Sequence, residues 1–183
     1  RVYIMGLRSP DLNVMISAAE KASRSLMRDF GEVEQLQVSR KGPADFVSAA
    51  DKRAEQILHR ELSKTRPDYS FIMEESGRVE GKDKDNIFII DPLDGTSNFL
   101  HGIPHWCISI ALERKGEIVA GLIYDPVKDE MFMAEKGSGA FMRNKRLRVS
   151  GRSKPEESVV LGGSPVAAHS FYEDYMKEMA NVL

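Results

Sequence analysis

Between positions 11 and 30 apolar residues return every three to four places, so that Leu12, Ile16, Ala19, Ser23, Leu26 and Phe30 fall on one stripe behind a Ser9-Pro10 start signal. The spacing predicts an amphipathic helix over 11–30. A second stripe, Ala50, Ala54, Ile57, Leu58 and Leu62, predicts a helix over 44–64. From there the period shortens. Apolar runs bounded by turn residues predict strands over 70–73, 87–90, 106–114, 117–124, 130–134 and 139–141, with Lys115-Gly116 as a tight turn between the third and fourth. Two helices followed by an antiparallel meander give an α+β fold. Residues 1–10 read as a tag remnant or disordered leader and 11–150 as the α+β part that carries the chemistry. Residues 151–183 read as the start of a second αβ part, opening at Ser158-Val159-Val160-Leu161 and running into an amphipathic helix over 169–183.

The richest chemistry sits where the 87–90 strand ends, in Asp91-Pro92-Leu93-Asp94-Gly95-Thr96. Asp91 precedes a proline and is therefore held extended at the strand tip, while Pro92 stiffens the turn that carries Asp94. Gly95 lets the backbone approach a ligand, and Thr96-Ser97 suits the start of a short helix through Leu100. Carboxylates beside phosphate-seeking amides imply a cation between them. Asp-Pro and Asp-Gly are also common turn dipeptides, and the chain holds a control. Asp125-Pro126-Val127-Lys128-Asp129 lacks the Gly-Thr step, lies between two strand-like runs and reads as a plain hairpin turn. What separates the first turn is Phe71-Ile72-Met73-Glu74-Glu75-Ser76, another apolar strand ending in paired acids.

Other candidates reduce to structure. His101 and His105 stand four apart, but Gly102 and Pro104 break any helix that could aim both at a metal. Gly137-Ser138-Gly139 lies between strands and reads as a turn. The basic run 143–148 reads as a polar turn leading into a strand. The single cysteine, Cys107, lies in a strand-like run and reads as a buried structural thiol.

Composition narrows the class. With 42% hydrophobic and 30% charged residues the chain can bury a core, and a net charge of −2 gives no electrostatic footprint for direct nucleic-acid binding. No apolar run reaches the roughly 18 residues of a spanning helix and no signal-peptide pattern is present, so a cytoplasmic protein without a membrane partner is expected.

The run Phe88 to His101 resembles the first signature of the inositol monophosphatase family of magnesium-dependent, lithium-sensitive phosphatases. Glu74-Glu75-Ser76 stands at the matching distance before it. The stretches 41–51 and 135–141 agree as well, and the similarity runs from about Leu12 to the end. The resemblance implies a layered αβαβα sandwich, a homodimer and two or three Mg²⁺ ions. It makes Glu74, Asp91 and the Leu93 carbonyl ligands of one ion, and Asp91 and Asp94 ligands of a second. Thr96 and Asp51 would orient and deprotonate the attacking water, and the Gly95 and Thr96 amides would hold the phosphate, with Glu75 as a supporting acid. The substrate would thus lie against Glu74, Leu93, Asp94, Gly95 and Thr96. An all-oxygen ligand set independently favours a hard ion such as Mg²⁺ over zinc.

By itself Asp51, early in the second helix, reads as a solvated surface acid, and Lys41 as a loop cation near the family's mobile loop. The family's second signature, a Trp-Asp pair, does not occur: the only tryptophan, Trp106, is followed by Cys107. The chain accordingly reads as the N-terminal two-thirds of such a phosphatase, acting on inositol 1-phosphate or a similar small polyol phosphate. Related phosphatases of fructose 1,6-bisphosphate, histidinol phosphate or 3′-phosphoadenosine nucleotides share the same turn. A non-catalytic protein that engages transcription machinery is the alternative of another class.

Overall fold

The computed structural model describes residues 8–36, 43–159 and 172–182. Two compact units divide the chain, 1–148 and 149–183.

The first unit opens with helix α1 (Pro10–Leu36), which starts as its sequence demands: the Ser9 hydroxyl accepts the Leu12 amide at 3.1 Å. It runs six residues past the predicted end. Val33, three places after Phe30, continues the buried stripe through Gly31, so packing overrides the helix-weakening glycine. Helix α2 (Pro43–Thr65) lies against α1 and buries Ala50, Ala54, Leu58 and Leu62. Ion pairs tie the helices: Asp29 accepts Arg53 at 2.7 Å and Glu61 accepts Lys21 at 2.7 Å. Asp11 holds both Arg66, at the end of α2, and Arg114 of the sheet, at 2.7 and 2.9 Å.

The strands are β1 (Tyr69–Met73), β2 (Gly77–Val79), β3 (Asp83–Asp94), β4 (Cys107–Arg114), β5 (Glu117–Asp125), β6 (Glu130–Glu135), β7 (Gly139–Met142) and β8 (Lys145–Arg146). They form one sheet in the order β2-β1-β3-β4-β5-β6-β7-β8. The expected meander is antiparallel from β3 onward, but β1 and β3 run parallel. The cause is β2, a short edge strand whose exposed residues carry no apolar alternation. It returns the chain along the outside of β1, so β3 enters on the other side in β1's own direction. The α+β expectation is met, with a mixed sheet.

Alternation along the strands sends Phe88 and Ile90, then Ile108, Ile110 and Leu112, then Leu122, Met131 and Met133 into one core with the helices. Each such side chain contributes roughly 1.5–3 kcal/mol by leaving water. Beyond β3 a five-residue helix α3 (Thr96–Leu100) is locked by an aromatic triangle. Its Phe99 meets Phe30 of α1 at 5.3 Å and Trp106 at 5.1 Å, and Phe30 meets Trp106 at 5.5 Å.

In the second unit a 3₁₀ turn, Pro155–Glu157, and helix α4 (Tyr172–Val182) are defined. The strand expected from Ser158 and the start of the 169–183 helix lie partly outside the described residues, as does most of the 1–10 leader. No helix among the described residues is long and apolar enough to cross a membrane.

Candidate functional site

Three backbone elements deliver acids to the same end of the sheet. The β1–β3 parallel ladder continues one step past β1, where the Glu74 amide donates to the Ile90 carbonyl at 3.2 Å, so Glu74 emerges beside Asp91 on the neighbouring strand. The Glu74 and Asp91 carboxyls lie close enough for each to shift the other's pKa. Pairing between β3 and β4 shifts between Asp91 and Asp94, an irregularity that accommodates the donor-less Pro92 inside the strand. Within it the Asp91 carboxylate accepts the Leu93 amide at 3.0 Å. Gly95 then takes φ +95°, the left-handed region, and caps α3 without any side-chain bond. The Thr96 hydroxyl donates back to the Leu93 carbonyl at 3.0 Å, tying α3 to the end of β3.

Asp51 arrives from α2. The expectation of a solvated surface acid is wrong: the residue is 3% exposed, and its Oδ1 is buried without a hydrogen-bond partner. Burial first, then the charges of Glu75, Glu74, Asp91 and Glu55, push its carboxyl up to about 7. Burial likewise raises Glu74 to about 7, helped by the hydrogen bond and charge of Asp91, and burial raises Asp91 despite its hydrogen bonds to Glu74 and Leu93. Both carboxyls of the Glu74–Asp91 pair thus lie above the ordinary carboxylate range.

The comparison turn gives the physical contrast. Asp125 also accepts two amides of its own turn, from Val127 and Lys128 at 3.0 Å each. Burial would raise it, but the Lys128 ammonium and those amides hold it below the usual carboxylate range. Among the described residues Asp51, Glu55, Glu74, Glu75, Asp91 and Asp94 form no ion pair with any Lys, Arg or His. An orphaned buried carboxylate oxygen in an all-oxygen, acid-rich cluster fits a hard divalent cation. As placed, no three His, Cys, Asp or Glu side chains among the described residues already enclose one.

Asp94 is more exposed and receives the Cys107 thiol at 3.7 Å. Cys107 is half-buried rather than buried as expected; burial, then Asp94, still pushes its thiol up to about 12. Asp51 and Thr96 are in the same unit but not hydrogen-bonded to each other, since Thr96 is engaged by Leu93. Lys41 lies outside the described residues. His101 bonds the Ser97 carbonyl at 2.7 Å and the His105 carbonyl accepts Asn98, so both belong to the α3 loop.

Sequence reasoning missed Glu55. It is 2% exposed and its carboxylate accepts the Glu75 amide at 2.8 Å and the Ser76 hydroxyl. The signal was present: Asp51, Glu55, Leu58 and Leu62 follow helical spacing, which puts two acids on the buried face of α2.

The chain is similar to known proteins. A family model described as the inositol monophosphatase family matches residues 7–181. The chain is 56% identical over 176 residues to an inositol-1-monophosphatase of Mesorhizobium japonicum, covering 96% of this chain and 66% of that protein. It is 39% identical to a Nus factor SuhB of Vibrio cholerae, over 92% of this chain and 63% of the relative. The crystal structure of the extragenic suppressor protein suhB from Bartonella henselae superimposes with a TM-score of 0.84 at 54% identity, covering 95% of this chain and 66% of that one. The chain thus spans just under two thirds of the length of these relatives. By this match, and by the acids gathered at the sheet end, the chain belongs to the inositol monophosphatase family.

Proposed function

We propose that the chain is the site-bearing part of a Mg²⁺-dependent phosphomonoesterase that hydrolyses inositol 1-phosphate or a similar small polyol phosphate. The observation that carries this is the gathering of Asp51, Glu74 and Asp91 with no cationic side chain among the described residues and with an orphaned carboxylate oxygen on Asp51. Glu74, Asp91 and the Leu93 carbonyl would hold one ion, and Asp91 with Asp94 a second. A divalent cation so held supplies Lewis acidity to the phosphate ester and to the attacking water.

The remaining work falls to the chain's own groups. Asp51, pushed up to about 7, can hold or release a proton in the neutral range and serves as the base for water. The Thr96 hydroxyl, fixed at the first residue of α3, orients that water. The Gly95 and Thr96 amides receive the phosphate; the missing Cβ of Gly95 makes room for His105 and Trp106 rather than for the ligand. The protein works in the cytoplasm, as a homodimer.

The likeness to Nus factor SuhB supports a second reading, capture of a partner without chemistry. The presence of Asp51, Glu74, Asp91 and Asp94 favours the enzyme. The test is release of inorganic phosphate from inositol 1-phosphate with Mg²⁺, run beside fructose 1,6-bisphosphate and histidinol phosphate. Thr96→Ala is expected to lower kcat by about 100-fold, within the range for a lost proton-transfer partner, while KM stays near that of the parent. No release by the parent from any of the three, or a Thr96→Ala variant that turns over normally, contradicts the proposal.

A further inference from the structure

Glu55 stands one helical turn after Asp51 on the buried face of α2, packed among Ala54 and Leu58, where an apolar residue would be the cheaper occupant. A carboxylate buried there needs hydrogen-bond donors, and two come from successive residues of one turn: the Glu75 amide to Oε2 at 2.8 Å and the Ser76 hydroxyl to Oε1. Bonds to a charged acceptor are roughly twice as strong as neutral ones. The turn they hold, from Glu74 to Gly77, is exposed; the Glu74 amide donates to Ile90 at its start and Gly77 pairs with Met73 at its end, so among the described residues the Glu55 bonds are what hold the backbone of Glu75 and Ser76 to α2.

We infer that Glu55 is a positioning residue: its carboxylate clamps the turn after β1 to α2, and thereby fixes the direction in which Glu74 and Glu75 face Asp91 and Asp51. The inference rests on the cation-binding reading of that site. Without the clamp Glu74 keeps its backbone bond to β3 but loses the fixed bearing of the residues after it. A carboxylate ligand so loosened binds a metal about 10–100-fold more weakly, as when outer hydrogen bonds to ligands are removed.

The experiment compares the parent chain with Glu55→Ala, Glu55→Gln and Ser76→Ala, using Mn²⁺ alone as the probe by electron paramagnetic resonance. Amide hydrogen exchange is read at Glu75, and at Ile110 and Leu112 as core references. Glutamine can still accept the Glu75 amide and donate to the Ser76 oxygen, so Glu55→Gln should keep Mn²⁺ affinity within about fivefold and Glu75 protection near the parent's. Glu55→Ala should lose 10–100-fold in affinity and expose the Glu75 amide with the core references unchanged. Ser76→Ala, a surface change that removes one arm, should fall between them and keeps the test alive if Glu55→Ala does not fold.

Unchanged Glu75 exchange in Glu55→Ala or Ser76→Ala overturns the clamp. Faster exchange with unchanged Mn²⁺ affinity reduces Glu55 to a structural fastening, and an equal loss in Glu55→Gln and Glu55→Ala assigns the effect to charge; each also overturns the inference. A parent chain that binds no Mn²⁺ sinks the cation reading itself, and the clamp's purpose with it, while the exchange data still show whether the turn is held.

Discussion

Replacing Gly95 by alanine tests the claim that the link between the acid-bearing strand and α3 can be built only without a side chain. Gly95 has φ +95°, and a Cβ there would lie 3.0 Å from the His105 carbonyl oxygen and 3.2 Å from both Cα and Cβ of Trp106. The left-handed conformation costs an L-residue roughly 1–2 kcal/mol. Overpacking adds about 1–3 kcal/mol, because two of the three nearest atoms are backbone and the third belongs to Trp106, which is locked by Phe30 and Phe99. The expected loss is therefore about 2–5 kcal/mol, and at roughly 2–4 °C per kcal/mol for a chain of this size the midpoint should fall by about 4–20 °C. Gly77→Ala is the internal control. Its φ is +73°, but a Cβ there meets nothing within 4 Å, so it carries the backbone cost alone. Urea unfolding followed by circular dichroism on both variants separates the two contributions. If Gly95→Ala costs no more than Gly77→Ala, the steric half of the reasoning is wrong; if neither costs anything, both halves are.

Two further outcomes follow from the electrostatics. Asp51 has a folded pKa raised from 3.8 to about 7, so between those values the folded protein binds more protons than the unfolded one and stability falls as pH rises. With EDTA present, the parent should lose stability from pH 5 to pH 8 more steeply than Asp51→Asn, and parallel profiles would contradict the burial of that charge. The Cys107 thiol, pushed up to about 12 by burial and by Asp94, should react with iodoacetamide at pH 8 at least about 100-fold more slowly than a free thiol; alkylation at the free-thiol rate would refute its protection.

Much of this architecture was legible in the chain, and the misses have particular causes. Helical periods located α1 and α2, and apolar runs located six strands, because each buries one continuous face. Strands β2 and β8 were illegible: with three and two residues, all exposed, they carry no alternation to read. The parallel β1–β3 pair follows from where β2 lies, a long-range fact that no local pattern encodes. Strand β3 runs through Pro92 because the ladder slips there, whereas a proline ordinarily argues against a strand interior. In the site, Asp91, Asp94 and Glu74 were visible as acids at strand ends. Asp51 and Glu55 were not, since acids in a helix are assigned to its wet face; only their register with Leu58 and Leu62 betrays that they point inward.

The central claim is that the acids at the ends of β1 and β3 and on the buried face of α2 form a divalent-cation site, and isothermal titration with Mg²⁺ tests it most directly. The parent should bind Mg²⁺ and release protons as it does so, because Glu74 and Asp91, both raised above the ordinary carboxylate range, hold a cation only when deprotonated. Asp91→Asn and Glu74→Gln should each weaken that binding at least about tenfold and reduce the proton release. Mg²⁺ binding that is absent in the parent, or unchanged in both variants, would contradict the account.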